Sequence, residues 1–265
     1  MGALQSMHRE IAEIIVNEPL GDGHYFMRIH APKISQSWIP GQFINILPPV
    51  KAGRPPILRR PISILGSGQD NLEFVYRVRG CGTEILSKLT KGGTLDITGP
   101  LGNGFKNIPG GQGKHVLIAG GVGAPPVIAL AKHLMSMGLE VDLYQGAQNR
   151  NGLIFHENLK TEKLKYICTT EDGSVGRKGL ISELLPSNFK GILCVYACGP
   201  IGMLKAIFKW RKGASFKYFV SIETKMGCGV GVCLGCSIPT VDGNYVLACK
   251  DGPVLDADLV DWNKL

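Results

Sequence analysis

The sequence predicts a multi-domain chain: an antiparallel β-barrel, then an α/β domain with a parallel sheet, then a small cysteine-containing domain. Three observations predict this order. Short strand-like runs broken by turn residues fill residues 8–101, strand-like runs alternate with helical stretches from residue 115 onward, and half of the eight cysteines lie between Cys228 and Cys249. We place the domain boundaries at residues 1–106, 107–223 and 224–265.

The composition is that of a globular protein and excludes several classes of function. The 265 residues are 44% hydrophobic and carry a formal charge of +8, but the basic residues form no long block and no stripe beside aromatic residues. We therefore expect no nucleic-acid partner. The N-terminal segment is polar, and no apolar run reaches the roughly 18 residues that a membrane span needs. We expect a cytoplasmic protein without a membrane span or a secretory signal.

The first domain is predicted as a barrel because its strand-like runs are short and evenly spaced. These runs are His24–His30, Gln42–Leu47, Ile62–Leu65, Leu72–Val78 and Thr94–Thr98. One short helix is expected within the barrel, because Gly82 and Thr83 precede an apolar-periodic stretch that Gly92 and Gly93 close. The start of this helix is expected to attract an anion.

The period of the hydrophobic pattern changes after a Gly/Pro-rich linker at residues 107–113. Strand-like runs are His115–Ala119, Val141–Gln145, Tyr166–Thr169, Leu193–Ala197 and Tyr218–Ile222. Helical stretches are Pro126–Met137, Ser182–Leu185 and Ile201–Arg211. This alternation is typical of a parallel α/β domain.

The strongest motif in the sequence is the spacing of four cysteines. Cys228, Cys233 and Cys236 follow a C-x4-C-x2-C pattern and Cys249 comes twelve residues later, as in plant-type ligation of a 2Fe–2S cluster. Thiolates are soft ligands that suit iron, and the interspersed glycines at 227, 229, 231 and 235 let a loop fold closely around a cluster. Structural zinc is the alternative, although zinc ribbons usually have two C-x2-C pairs and this segment has one.

Two further segments are candidate nucleotide sites. Gly121 and Gly123 lie in a turn between a predicted strand and a helix, where their backbone amides can approach a pyrophosphate. Cys198 stands at the predicted carboxyl end of a parallel strand, where open α/β sheets bind ligands. A buried cysteine with no functional role is equally compatible with that position.

A third candidate segment, residues 60–63, lies inside the predicted barrel. Arg60 offers a charged fork for a phosphate, and Ser63 offers a hydroxyl for the edge of a flavin. Four such residues alone are also compatible with an ordinary surface strand.

Taken together, these segments resemble the ferredoxin reductase-type flavoprotein superfamily, in the same order and over nearly the whole chain. The segments that resemble its FAD-binding barrel are Pro40–Phe43, Arg60–Ser63, Val75–Arg77, Gly82–Thr83 and Gly99–Gly102. The segments that resemble its nucleotide-binding half are Gly121–Pro126 and Cys198–Pro200. The stretch from Glu223 to Cys236, followed by Cys249–Val254, is similar to the electron-transfer subunits of class 1B dihydroorotate dehydrogenases.

This resemblance implies a function in pyrimidine biosynthesis. It implies a chain that carries FAD and one 2Fe–2S cluster and docks on a separate FMN-containing dihydroorotate dehydrogenase catalytic subunit, as a heterotetramer with two copies of each chain. Electrons would leave dihydroorotate at the partner's FMN, cross the cluster one at a time, gather on FAD and leave as hydride to NAD+.

The resemblance also assigns roles to particular residues. It implies that Arg60, Pro61, Ile62, Ser63, Val75, Tyr76 and Arg77 hold the flavin, and that Gly82 and Thr83 present an amide and a hydroxyl to its pyrophosphate. It implies that Gly121 and Gly123 approach NAD, and that Cys198 and Glu223 serve as catalytic residues at the nicotinamide and the flavin. Cys228, Cys233, Cys236 and Cys249 would hold the cluster.

Two questions stay open from the residues themselves. The predicted strand from Val141 to Ala147 does not end in the acidic residue that usually binds the ribose of NAD, and Arg150 nearby could meet the 2′-phosphate of NADP. The alternatives to the main prediction are a diaphorase, ferredoxin:NAD(P) oxidoreductase or hydrogenase-associated subunit, and a non-catalytic module that binds zinc and a nucleotide.

Overall fold

The computed structural model describes residues 7–49, 56–154 and 164–265. Within these ranges, no helix is long and apolar enough to cross a membrane. All the candidate site residues lie inside the described ranges.

The first part of the described chain forms a closed antiparallel barrel. Its strands are β1 (His8–Gly21), β2 (His24–His30), β3 (Phe43–Leu47), β4 (Arg60–Gly68), β5 (Asn71–Arg77) and β6 (Thr94–Leu101). They are hydrogen bonded in the order β1-β2-β5-β4-β3-β6, and β6 returns to β1. Two short helices accompany them, α1 (Pro32–Ser35) and α2 (Cys81–Ser87).

Alternation along the strands decides which side chains fill the barrel. Ile44 and Ile46 of β3 are fully buried in the barrel core, which also contains Met27 and Phe74. The intervening residues of β3 point to the outer face, because successive side chains of a strand alternate. This outer face of the barrel carries the first site.

The second part is built on a parallel sheet. Its elements are β7 (Lys114–Gly120), α3 (Ala124–Ser136), β8 (Val141–Ala147), β9 (Leu164–Thr170), β10 (Arg177–Lys178), β11 (Ile192–Cys198), α4 (Ile201–Trp210) and β12 (Lys217–Ser221). The strand order β10-β9-β8-β7-β11-β12 reverses direction between β7 and β11. Ligands of open α/β sheets bind at such a reversal, beside the carboxyl ends of the strands.

The C-terminal part contains a two-stranded sheet and one strand that joins the larger sheet. The small sheet pairs β13 (Ser237–Pro239) with β14 (Tyr245–Leu247), and β15 (Val254–Asp256) pairs antiparallel with β12. The core of the parallel sheet is therefore continuous with side chains of this part, such as Ile238 and Trp262.

The structure corrects three details of the predicted elements. The strand β1 was not predicted as an element, because its alternation is interrupted by a bulge between Ile14 and Val16. The predicted helix at Ser182–Leu185 is a short 3₁₀ turn over Ile181–Leu184. The barrel helix α2 ends at Ser87, so Leu89 lies beyond it.

Candidate functional site

A cavity of about 240 Å³ lies on the outer face of the barrel, between β4, β5 and the segment that leads to the cysteines. Eight of the nine predicted barrel site residues line it: Arg60, Pro61, Ile62, Ser63, Val75, Tyr76, Arg77 and Thr83. The opposite wall comes from residues 221–226 and Pro253. Two distant parts of the sequence therefore enclose one cavity.

The ninth residue, Gly82, supports the Arg60 side chain. A Cβ atom at Gly82 would lie 3.0 Å from the guanidinium carbon of Arg60, so the guanidinium packs directly on the first turn of α2. The Nη1 atom of Arg60 donates to the carbonyl of Leu58 over 2.8 Å, which fixes the side chain beside the cavity. The Arg60 guanidinium is therefore a positive charge held in place at the edge of the cavity, where it is suited to bind a phosphate.

The neighbouring Arg59 has a different role. Its guanidinium forms an ion pair with Asp96 at 2.8 Å and donates to the carbonyl of Asn45. Together with Arg9, Arg59 lowers the pKa of the Asp96 carboxyl. Arg59 therefore ties the barrel strands together, and only Arg60 of this pair lines the cavity.

Three of the cavity residues have side-chain hydrogen bonds within the protein. The Thr83 hydroxyl accepts from the amides of Arg79 and Gly80 and donates to the Gly80 carbonyl at 3.0 Å, so it caps α2. The Tyr76 hydroxyl donates to Asn17 over 2.9 Å, and Arg77 pairs with Asp22 at 2.8 Å. The structure thus commits the Thr83 hydroxyl to the helix cap, whereas the sequence suggested a pyrophosphate contact.

The cavity fits a flavin. The hydroxyl oxygen of Thr224 is buried in its wall without a hydrogen-bond partner in the described chain, as expected where a polar ligand supplies the missing partner. The lining combines apolar surface from Ile62 and Val75 with the charge of Arg60, which matches a large aromatic ring system attached to phosphates.

A second cavity of about 650 Å³ lies at the carboxyl ends of the parallel strands. Its floor is formed by the turn after β7 and by Gly199–Met203 after β11, at the reversal of strand order. Gly121 adopts a left-handed φ of +51°, and a Cβ at this position would meet open space in the described structure. An incoming pyrophosphate can therefore approach the backbone here.

Gly123 does not line this cavity. A Cβ at Gly123 would lie 2.7 Å from the backbone nitrogen of Gly199 and closer still to the Cys198 carbonyl. Gly123 therefore allows the start of α3 to pack against the end of β11. The two glycines that were predicted to share one role therefore differ in position: Gly121 faces the cavity, whereas Gly123 packs against the end of β11.

Glu223 stands where the two cavities meet. Its side chain lines both of them, as do those of Arg77, Arg79 and Val122. The Glu223 carboxyl is open to the two cavities, but the surrounding protein displaces much of the water near it. This desolvation raises the pKa of the carboxyl, whereas the positive charge of Arg79 lowers it. Among the described residues, Glu223 is therefore the carboxyl that the two cavities share.

Cys198 lies behind this junction. The side chain is buried, and desolvation together with the Glu223 carboxyl raises the pKa of the thiol, while Ser221 lowers it. Gly199, the next residue, forms the cavity surface in its place. The structure thus brings Cys198 next to Glu223 but keeps it as a neutral thiol one layer below the cavity.

Glu171 lines the nucleotide cavity but was not predicted from the sequence. An acidic residue is expected after β8, whereas Glu171 follows β9, and its amide donates to the Ala147 carbonyl at the end of β8. Glu171 lines the cavity, and Arg150 does not. The same rule of strand ends, applied to β9, would have found it.

We expect Glu171 to favour NAD over NADP, because a carboxylate accepts hydrogen bonds from ribose hydroxyls and repels a 2′-phosphate. Glu171→Gln should raise the kcat/KM for NADPH about tenfold relative to that for NADH, which corresponds to about 1.4 kcal/mol. Steady-state reduction of a dye by each nucleotide measures this ratio. Glu140→Gln, at the opposite end of β8, is the matched control. An unchanged ratio in Glu171→Gln would remove this residue from the ribose site.

The four cysteines of the predicted cluster come together in the C-terminal part. The sulfur atoms of Cys236 and Cys249 lie 3.3 Å apart, and Cys228 interacts with both Cys233 and Cys249. All four are free thiols. Cys236 and Cys249 are buried, whereas Cys233 is exposed.

The loop between the first two cysteines turns its amides toward sulfur. The amides of Val230, Val232 and Cys233 donate to Cys228 Sγ at 3.3–3.4 Å, and the amide of Gly231 donates to Cys249 Sγ at 3.1 Å. These donors lower the pKa of the Cys228 thiol to about 6. Gly229 and Gly231 have left-handed φ angles of +73° and +81°, which allow this turn.

This arrangement fits an iron–sulfur cluster. Hydrogen bonds from backbone amides to sulfur stabilise thiolates and tune such clusters. The four residues Cys228, Cys233, Cys236 and Cys249 would hold it.

Comparison with known proteins agrees with these sites. Residues 223–261 match the iron–sulfur cluster binding domain of dihydroorotate dehydrogenase B, and residues 117–209 match the oxidoreductase NAD-binding domain. These matches favour iron over zinc in the cysteine loop and an oxidoreductase over a non-catalytic module.

Similarity also extends over whole proteins. The chain is 33% identical to the dihydroorotate dehydrogenase B (NAD(+)) electron transfer subunit of Geobacillus sp. (strain WCH70), over 95% of this chain and 98% of that protein. It is 40% identical to the corresponding subunit of Clostridium acetobutylicum, over 77% of this chain and 80% of that one.

Among solved structures, a chain of an NADH-dependent reduced ferredoxin-NADP oxidoreductase superposes with a TM-score of 0.84 and 26% identity, over 100% of this chain and 93% of its own length. The barrel and sheet therefore have a ferredoxin reductase-like fold. Because the identity to the curated relatives reaches 33% over nearly the full length of both proteins, the chain belongs to the family of electron transfer subunits of dihydroorotate dehydrogenase B.

Proposed function

We propose that this chain passes electrons between NAD+ and a separate FMN-containing subunit that oxidises dihydroorotate, in the cytoplasm and as two copies of each chain. The observation that carries the proposal is the order of the sites. The flavin cavity adjoins the nucleotide cavity at Glu223, and the wall segment that contains Glu223 continues along the chain to Cys228. The chain offers one continuous series of sites from nucleotide to cluster.

The proposed cofactors account for the residues of each site. Arg60 would hold the phosphates of FAD, residues 61–63 and 75–77 would hold its ring and ribityl chain, and the four cysteines would hold the 2Fe–2S cluster. When bound, FAD supplies a carrier that exchanges electrons singly with a cluster and as hydride with nicotinamide. Electron exchange in both modes requires both neighbours, and the contact of the flavin cavity with the nucleotide cavity and with the segment before Cys228 supports this arrangement.

Glu223 and Cys198 would act where NAD reacts, at one end of the proposed electron path. Glu223 lines both cavities, and the desolvation that raises the pKa of its carboxyl favours the protonated form that a proton donor needs. Cys198 would pack beneath the nicotinamide site, where its buried thiol, one residue before Gly199, supports the cavity surface. In this proposal Glu223 carries the proton and Cys198 shapes the site.

The exposed apolar side chains of the cysteine loop provide a docking surface for the catalytic subunit. Val230, Val232 and Leu234 are 43%, 76% and 62% exposed and flank Cys233. Apolar side chains clustered at the surface indicate a protein contact. A partner that covers this loop would bring its own redox centre close to the cluster.

Reconstitution with the FMN subunit tests the proposed function. The FMN subunit alone should oxidise dihydroorotate with a dye but not with NAD+, and addition of this chain should produce NADH. If NADH formation does not depend on this chain, the proposal is wrong. Turnover with reduced ferredoxin and not with dihydroorotate would favour the alternative of a ferredoxin:NAD(P) oxidoreductase.

Val232→Glu tests the docking surface in the same assay. We expect the variant to need at least about tenfold more FMN subunit for half-maximal NADH formation, because burying an unpaired carboxylate costs more than 1.4 kcal/mol. Iron content and dye reduction by NADH should stay unchanged. Val241→Glu, a substitution of another largely exposed valine (65% exposed) outside the cysteine loop, is the matched control. Equal behaviour of the two variants would place the docking surface elsewhere.

A further inference from the structure

Asn45 connects the barrel to the cysteine loop. It lies in the middle of β3, and only 2% of its surface is exposed. Its side-chain Nδ2 donates to the backbone carbonyl of Cys228 over 3.2 Å. A barrel residue thus forms a hydrogen bond with the first cysteine of the proposed cluster, although the two residues are 183 positions apart in the sequence.

The register of the barrel places Asn45 on the face that forms the flavin cavity. Phe43 pairs with Ser63, and Asn45 pairs with Pro61. Residues paired across antiparallel strands project to the same face, with Cβ atoms about 5 Å apart. Because Phe43, Pro61 and Ser63 all line the flavin cavity, Asn45 lies on the face of the barrel that carries this cavity, where it also contacts the cysteine loop.

The loop packs on the amide without an intervening layer. Gly229, which follows Cys228, has a left-handed φ of +73°, and a Cβ at this position would collide with the Nδ2 of Asn45. The turn that directs three amides toward Cys228 Sγ therefore begins in contact with Asn45.

The position of Asn45 is costly for stability. Its Oδ1 atom is buried and has no hydrogen-bond partner among the residues that the structure describes. A buried amide oxygen without a partner loses its hydrogen bonds to water on folding, a cost that an apolar residue would avoid. The amide therefore has a use other than filling space.

We propose that Asn45 is a positioning residue for the cluster, which holds the Cys228 carbonyl and the Gly229 turn against the flavin side of the barrel and thereby sets the reduction potential of the cluster. The inference rests on the proposed cysteine ligands. Hydrogen bonds and charges close to the sulfur ligands are what tune such potentials.

Asn45→Asp and Asn45→Leu test the proposal because both keep the size of the side chain and remove its donor. In both variants we expect the EPR spectrum of the reduced cluster and its midpoint potential to shift, and reduction of the cluster by NADH to slow about tenfold. The potential should fall further in Asn45→Asp, because a negative charge disfavours reduction. Flavin content, iron content and dye reduction by NADH should be unchanged.

Asn103→Asp is the matched control. Asn103 also binds the cysteine segment, since its Nδ2 donates to the carbonyls of Lys250 and Asp251. These contacts are exposed to solvent, and the Oδ1 of Asn103 accepts a hydrogen bond from Lys106. This variant should keep the wild-type potential and EPR spectrum. Wild-type potentials and spectra in both Asn45 variants would overturn the inference while leaving the proposed function intact. Absence of a cluster signal from the wild-type protein itself would overturn the ligand set and the inference together.

Discussion

Replacing Cys233 with serine should abolish NADH formation in the complex with the FMN subunit and leave dye reduction by NADH within about twofold of wild type. The substitution removes one of four soft thiolate ligands and offers an alcohol that binds iron weakly. The fold around it should persist, because Cys233 is exposed and its contacts with Cys228, through the backbone amide and the side chain, lie within the loop itself. None of the loop cysteines lines the NAD or the flavin cavity, so dye reduction by NADH should be retained.

Iron and sulfide analysis, the EPR signal and the two activities measure this result. Cys168→Ser is the control for a serine substitution outside the loop, in strand β9. A Cys233→Ser protein that loses both activities while it remains folded and keeps its FAD would contradict the proposed order of sites. Full iron content in this variant would remove Cys233 from the ligand set.

Arg60→Ala should lose FAD on dialysis while the apoprotein stays folded. The substitution removes a charge-assisted contact to phosphate of about 1.5–3 kcal/mol, which corresponds to a roughly ten- to hundredfold weaker affinity for FAD. Among the described residues, the Arg60 guanidinium donates to backbone carbonyls through Nη1 and forms no ion pair that the substitution would break. Fluorescence titration of the apoprotein with FAD gives the change in Kd.

The adjacent arginine supplies the contrast. Arg59→Ala breaks the ion pair with Asp96 and two hydrogen bonds to backbone carbonyls, so the free energy of unfolding should fall while the Kd for FAD stays nearly unchanged. Similar loss of FAD from both variants would mean that Arg60 acts through barrel stability. Normal flavin occupancy in Arg60→Ala after dialysis would remove Arg60 from the site.

The two arginines also show how far the sequence alone reaches. The pattern of short strands predicted the barrel and placed residues 60–63 within it, because alternation and turn residues are local properties. The roles of Arg59 and Arg60 are not local. They depend on Asp96 and Gly82, which come from other strands and helices and meet them only in the folded barrel.

The cysteine loop was more predictable, because its ligand spacing is contained in one segment. Its connection to the flavin was not, since Asn45 meets Cys228 only through the packing of two distant segments. Glu171 was missed for a related reason. The carboxyl ends of β8 and β9 lie side by side in the sheet, so an acidic residue after either strand reaches the same cavity.

Anaerobic titration of the purified wild-type chain with NADH, followed by visible absorption and EPR, tests the central claim most directly. The account predicts flavin bands with a broad iron–sulfur absorption, bleaching of both by NADH, and the appearance of one EPR signal from a reduced 2Fe–2S cluster. A protein that holds zinc without iron or sulfide, or a cluster that NADH leaves oxidised while the flavin is reduced, would contradict it.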